Sequence, residues 1–173
     1  MKRSALILSV SLVAFPIAAQ AQNAAVNTSK ALWQQLTGHI TAVAEESPEA
    51  LYAYKPSPEV RSLGQLIGHV AGAQNLICAA ALGEPARQED EIERTQTTKA
   101  GLVAALKAST EYCARAYAQT DAAAQAKTQL FGSEQTRLYA LMLNATHNGE
   151  HYGNMVTYLR INKIVPPSSR RGM

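Results

Sequence analysis

The chain has 173 residues, 47% of them hydrophobic and 17% charged, which is enough apolar material for one sizeable core and too little charge for a disordered tail protein. Sixteen Lys and Arg stand against thirteen Asp and Glu, a net charge of +3 with no basic run, so the electrostatic footprint of a phosphate-tracking nucleic-acid binder is missing. Aromatic residues make up only 6%, and the Ala- and Leu-rich remainder favours packed helices over a β-sandwich.

Residues 1–21 read as a cleaved signal peptide. Lys2 and Arg3 form a short basic segment, Ala5 to Phe15 is an apolar run, and Ala19-Gln20-Ala21 offers small residues for cleavage. Pro16 interrupts the run, which is shorter than the roughly 20 apolar residues that a bilayer core demands. The expectation is a periplasmic or secreted protein with no membrane attachment after cleavage. Its mature domain, residues 22–173, carries fourteen cations against thirteen anions.

Beyond this segment apolar residues recur at three- and four-residue spacing, and no stretch alternates long enough to predict a strand. The spacing predicts an all-α domain. A first helix spans about Ser29 to Glu46 with Leu32, Leu36, Ile40 and Val43 on one stripe, and Ser47-Pro48 ends it. A second opens at Ser62, where Ser62 and Gln65 form a capping-box pattern, and stops before Gly83. A third starts near Thr97 or Thr98. Ala122 to Leu130 adds a short extra turn, and a fourth long helix follows Gly132, with Ser133 as N-cap, to about Lys163 before Pro166-Pro167. On this last helix the expected inward stripe includes Leu138, Leu141 and Met142. The tail from Ser168 is basic and expected to fray.

The link from Gly83 to Gln96 is long, polar and rich in Glu, longer than the two to eight residues usual between antiparallel neighbours. A link of that length crosses the bundle and leaves the second and third helices parallel. Cys78 and Cys113 lie at similar distances from the starts of those helices, so they reach one height only in the parallel arrangement. In an exported protein such a pair is expected to be bridged, with two buried thiols as the alternative.

Three of the four histidines form a pattern. His147 and His151 are four apart, which puts two imidazoles on one helical face within reach of one ion. His69 lies in the apolar arc of Leu66, Ala73, Leu76 and Ile77, so its ring faces the bundle. An antiparallel pairing of the second and fourth helices brings His69 and His151 to similar heights. Taken alone, His69 reads equally as a hydrogen-bonded core histidine. His39 has no partner spacing and reads as a surface or structural histidine. Glu150 adjoins His151 and is a candidate acceptor or proton carrier, and Asn144, Asn148 and Tyr158 are candidates for orienting ligands.

The sequence resembles the DinB-like family over about Lys30 to Ser169. The matching stretches are Tyr54 to His69, His147 to Arg160 and Ile164 to Ser169, and the most specific parts are Ser62-Leu63-Gly64 before His69 and Glu150-His151-Tyr152-Gly153 with the Pro166-Pro167 end. The resemblance implies a four-helix bundle in up-down-down-up order with His69, His147 and His151 as metal ligands. Three imidazoles leave positions open for water, the pattern of catalytic zinc sites. All-nitrogen ligands suit Zn²⁺ or Ni²⁺, with Fe²⁺ and Mn²⁺ also compatible.

Characterised relatives in the family include thiol-dependent transferases and isomerases. An oxidising compartment lacks their thiol pool, so a hydrolytic reaction through a polarised water fits export better. The expectation is a metal-dependent hydrolase or thiol transferase-like enzyme acting on a small molecule. The alternatives are a protein that holds a metal or ligand without turnover, and a structural bundle with incidental histidines. Bundles of this type pair through a helical face, which allows a homodimer, and the sequence marks no interface.

Overall fold

The computed structural model describes residues 23–170. The expected signal peptide, residues 1–21, lies outside them.

Four long helices carry the fold: α1 (Ala24–Glu46), α2 (Leu63–Leu82), α4 (Lys99–Ala116) and α6 (Arg137–Ile161). Two short helices, α3 (Glu91–Thr95) and α5 (Asp121–Ala124), a hairpin of β1 (Lys127–Leu130) and β2 (Ser133–Thr136), and 3-10 turns at Glu49–Ala53 and Pro167–Ser169 fill the connections.

Caps set several boundaries. Ser62 and Gln65 form the expected capping box at the start of α2, Ser62 N donating to Gln65 Oε1 at 2.9 Å and Gln65 N to Ser62 Oγ at 3.2 Å. Thr98 Oγ1 accepts from Gly101 N at the start of α4. The first turn of α1 is capped from far away: the Asp121 carboxylate accepts from Ala25 N at 3.0 Å and Val26 N at 2.8 Å. This external cap lets α1 begin at Ala24, earlier than the expected Ser29, which is buried inside the helix.

The contacts fix the directions. Gln74 Nε2 donates to Ser109 Oγ, and Cys78 is bridged to Cys113 with their Cα atoms 5.3 Å apart, so α2 and α4 run parallel as expected. Tyr158 bonds to Arg61 and Asn148 to Gln74, which makes α6 antiparallel to α2. Asn148 also bonds to Thr37, and His39 stacks on Tyr152, so α1 and α6 are parallel. The order is up-down-down-up.

The crossover between α2 and α4 runs back along α2. A Cβ on Gly72 would lie 1.8 Å from the Glu89 carbonyl oxygen, and one on Gly68 would lie 2.8 Å from Glu93 Cα. These two glycines let the backbone of the crossover rest directly on the helix.

Two apolar clusters make the core. One gathers Ile40, Leu63, Ile67, Leu106, Met155 and Leu159; the other gathers Val26, Trp33, Ile77, the two cysteines, Tyr117 and Leu141. Between them lies a buried polar belt with one residue from each long helix. Trp33 Nε1 and Asn148 Nδ2 donate to Gln74 Oε1, Asn148 also reaches Thr37, and Gln74 bonds to Ser109.

Three expectations need correction. Ser133 does not cap the last helix: it pairs with Leu130 in a hairpin, and α6 begins at Arg137 with Thr136 Oγ1 accepting from Tyr139 N. The residues expected to be a helical turn up to Leu130 are helical only to Ala124. The two-residue turn Phe131-Gly132 has positive φ at both positions, 50° and 77°, which matches the twist of paired strands. Second, Leu32 and Met142 are 51% and 55% exposed. They line a shallow apolar groove between α1 and α6 with Leu36 and Ala145. Third, the start of the tail is fastened, since Ser168 bonds to Tyr152 and Arg170 pairs with Glu46.

Candidate metal centre

His69 sits in the second turn of α2, and His147 and His151 lie one turn apart on α6. The antiparallel packing of α2 on α6 brings all three rings together. Ring centroids are 4.3 Å apart for His147 and His151, 4.7 Å for His69 and His151, and 5.1 Å for His69 and His147. One ring nitrogen from each lies within 4.8 Å of the others.

His147 Nε2 and His151 Nε2 face each other at 3.0 Å. Two nitrogens about 2.0–2.1 Å from one tetrahedral zinc ion are separated by about 3.3–3.4 Å, a few tenths of an ångström more than this. The Nδ1 atoms of His147 and His151 are buried with no hydrogen-bond partner. Burial pushes all three imidazoles below their ordinary pKa, His69 to about 3 and His147 to about 4. The positive charge of Arg61 adds to the lowering in each case. The three rings are therefore neutral at neutral pH and keep a lone pair each, which is what a cation requires of its ligands. Three converging neutral imidazoles fit a divalent metal, for which they supply an all-nitrogen donor set.

A cavity of about 600 Å³ opens beside His151, lined among others by Lys55, Arg61, Glu93, Glu150 and Tyr158. Glu150 is exposed on this wall, and its charge opposes the lowering of the His151 pKa. Tyr158 OH donates to Arg61 O at 2.7 Å and so fixes the loop before α2. Asn144 and Asn148 do not join the histidines through hydrogen bonds. Asn144 Nδ2 faces the disulfide sulfurs and Tyr117, and Asn148 belongs to the polar belt. His39 is half-buried against Tyr152, outside the triad.

Three residues that were not singled out in the sequence also stand at the site. The crossover lays Glu93 Oε2 3.7 Å from His69 Nδ1 and Glu89 Oε1 3.9 Å from His69 Nε2. Arg61 Nε lies 3.0 Å from both oxygens of Glu93. The signal that could have found them is the spacing Gly64, Gly68, Gly72 along α2, which marks a face open to close backbone approach, together with an acidic crossover of matching length.

A family model described as the DinB superfamily matches residues 31–155. Among solved structures, a DinB-like protein from Bacillus cereus ATCC 10987 superposes with a TM-score of 0.70 at 16% identity, covering 82% of this chain and 95% of its own. A DinB-like protein from Bacillus subtilis gives a TM-score of 0.64 at 22% identity, covering 86% of this chain and 99% of its own. At these identities the two structures speak for the fold alone. The search of curated proteins found no match. The family match covers most of the chain and includes all three histidines, and the chain belongs to the DinB superfamily.

Proposed function

We propose that His69, His147 and His151 hold one divalent cation, Zn²⁺ or Ni²⁺ by donor chemistry, and that the protein is an exported metal-dependent enzyme acting on a small molecule. The observation that carries this reading is the convergence of three neutral imidazoles beside a solvent-open polar cavity. When bound, such a cation acts as a Lewis acid toward a water or a substrate atom.

The chain's own groups have distinct parts. The imidazoles present lone pairs and remain uncharged. Glu150, on the cavity wall, is the carboxylate that takes up a proton from the reacting group. Lys55 and Arg61 present positive charge to the same space and orient an incoming polar substrate. His69 and His151 are each only 7% exposed, which limits access of water to the triad. Hydrolysis is favoured over thiol transfer because export removes the cytosolic thiol pool.

The test is elemental analysis of the untagged mature protein, followed by a hydrolysis screen with and without chelator. About one metal ion per chain is expected in the wild type, with little left after His69, His147 and His151 are all changed to Ala. Chelator-sensitive turnover supports the enzyme; metal without turnover makes this a binding protein. Cell fractionation tests export, and recovery of a full-length chain from the cytoplasm alone would remove that part.

A further inference from the structure

His69 differs from the other two histidines in its surroundings. His147 and His151 have buried Nδ1 atoms without partners, whereas both ring nitrogens of His69 lie within 4 Å of a carboxylate. Both carboxylates come from the crossover, which is held on α2 by backbone contact. Gly68 precedes His69, and the Cβ that it lacks would collide with Glu93 Cα. The two residues are thus brought together by main chain.

Glu93 is also restrained at its far end. Its side chain is only 16% exposed, against 62% for Asp90 one turn earlier on the same connection. Both of its oxygens meet Arg61 Nε, and the carbonyl of Arg61 accepts from Tyr158 on α6. A continuous chain of contacts thereby runs from α6 through Arg61 and Glu93 to His69. Glu89, at the other ring nitrogen, is farther away and more exposed, at 33%.

We propose that Glu93 is a positioning residue for the metal centre: it accepts the Nδ1–H of His69, fixing the tautomer that presents Nε2 to the cation, with Arg61 clamping the carboxylate. This rests on the metal-binding reading above and adds a carboxylate that the histidine pattern does not contain. A ligating imidazole generally gives its second nitrogen to such an acceptor, which fixes the ring and raises its basicity. The 3.7 Å separation is beyond a formed hydrogen bond, by about 0.8 Å relative to the usual length, so the proposal requires the carboxylate to move that much closer to the ring.

The experiment uses the mature protein without a tag. Long-range proton–nitrogen NMR reports the His69 tautomer in the metal-free form, and competition with a chromophoric chelator gives the Zn²⁺ affinity. The wild type is expected to carry the proton on Nδ1. In Glu93→Ala the tautomers mix and Zn²⁺ affinity falls by about 10- to 100-fold, while Glu93→Gln, whose amide oxygen still accepts, retains the Nδ1–H form and loses less. A His69 proton on Nε2 in the wild type overturns the proposal. So does an affinity within about twofold of wild type in a folded Glu93→Ala protein, since an orienting carboxylate is worth more than that. If Glu93→Ala fails to fold, Glu93→Gln decides: loss of the Nδ1–H tautomer there counts against the proposal. Absence of Zn²⁺ binding by the wild type would sink the metal reading instead, and the tautomer of the metal-free protein would still decide the part played by Glu93.

Discussion

The two ends of the bundle are built on different terms. Below the polar belt of Thr37, Gln74, Ser109 and Asn148, the core is closed by a disulfide, by Trp33 stacked on Tyr117 with ring centroids 4.4 Å apart, and by Tyr117 OH donating to Leu141 O. Above it, α2 and α6 turn three imidazoles toward each other, two of them with unpartnered nitrogens, beside an open cavity. One end is tied by a covalent bridge and stacked aromatic rings; the other gathers three imidazoles, one ring nitrogen from each within 4.8 Å of the others. The contrast teaches that a small bundle can carry an unsatisfied site when stability is concentrated elsewhere.

The largest expected effect is at the open end. Structural zinc sites with four protein ligands are worth on the order of 10–16 kcal/mol, several kcal/mol per ligand, so His147→Ala should weaken Zn²⁺ binding by about a hundredfold or more. Titration against a chelator checks it, and retention of wild-type affinity would break the contrast. Next comes the closed end. Replacing Cys78 and Cys113 together with Ala opens a loop of 35 residues, which costs about 4 kcal/mol in the chain-entropy treatment and lowers Tm by about 10 °C. Zn²⁺ affinity should change little at temperatures where the variant is folded; a parallel loss would mean that the ends are not independent.

A smaller effect is expected where the crossover meets α2. Gly72→Ala forces a methyl against the Glu89 carbonyl, at about 1–3 kcal/mol for an overpacked contact. Urea unfolding should register that loss, together with weaker metal binding as the crossover lifts away from His69. Within the belt, Gln74→Leu leaves Trp33 Nε1 and Asn148 Nδ2 without their shared acceptor, at about 1–3 kcal/mol, read by the same unfolding curves.

The last prediction has no effect at neutral pH. Burial, with Glu49 and Glu45 nearby, pushes the Tyr52 phenol up from 10.0 to about 12. Because the folded state holds this proton more tightly than the unfolded chain, the contribution to stability is complete below pH 10 and lost as pH rises toward 12. Absorbance titration should show Tyr52 ionising late, and replacing it with Phe should flatten the alkaline fall in stability.

How far these features were legible in the sequence follows from their range. The capping box at Ser62, the parallel pairing implied by Cys78 and Cys113, and the alignment of His69 with His151 depend on spacing along regular helices, so they could be read directly. The hairpin could not. Its strands, Lys127–Leu130 and Ser133–Thr136, are polar but for Leu130, and half of their residues are exposed, so no apolar alternation marks them, and Phe131 is an unusual residue for a left-handed turn position. Leu32 and Met142 share the helical period of core residues, yet they face the groove between α1 and α6, where no third element among the described residues covers them. Glu93 was invisible for a further reason: its nearness to His69 depends on the path of a connection, fixed by a missing side chain at Gly68.

The carboxylate of Asp121 closes the first turn of α1 from 95 residues downstream. A chain emerging amino end first, from a ribosome or through a narrow pore, therefore exposes the beginning of its first helix long before the residue that finishes it arrives. The opening turn of α1 lacks this cap until most of the polypeptide is out, so the first helix of the bundle is among the last to be completed.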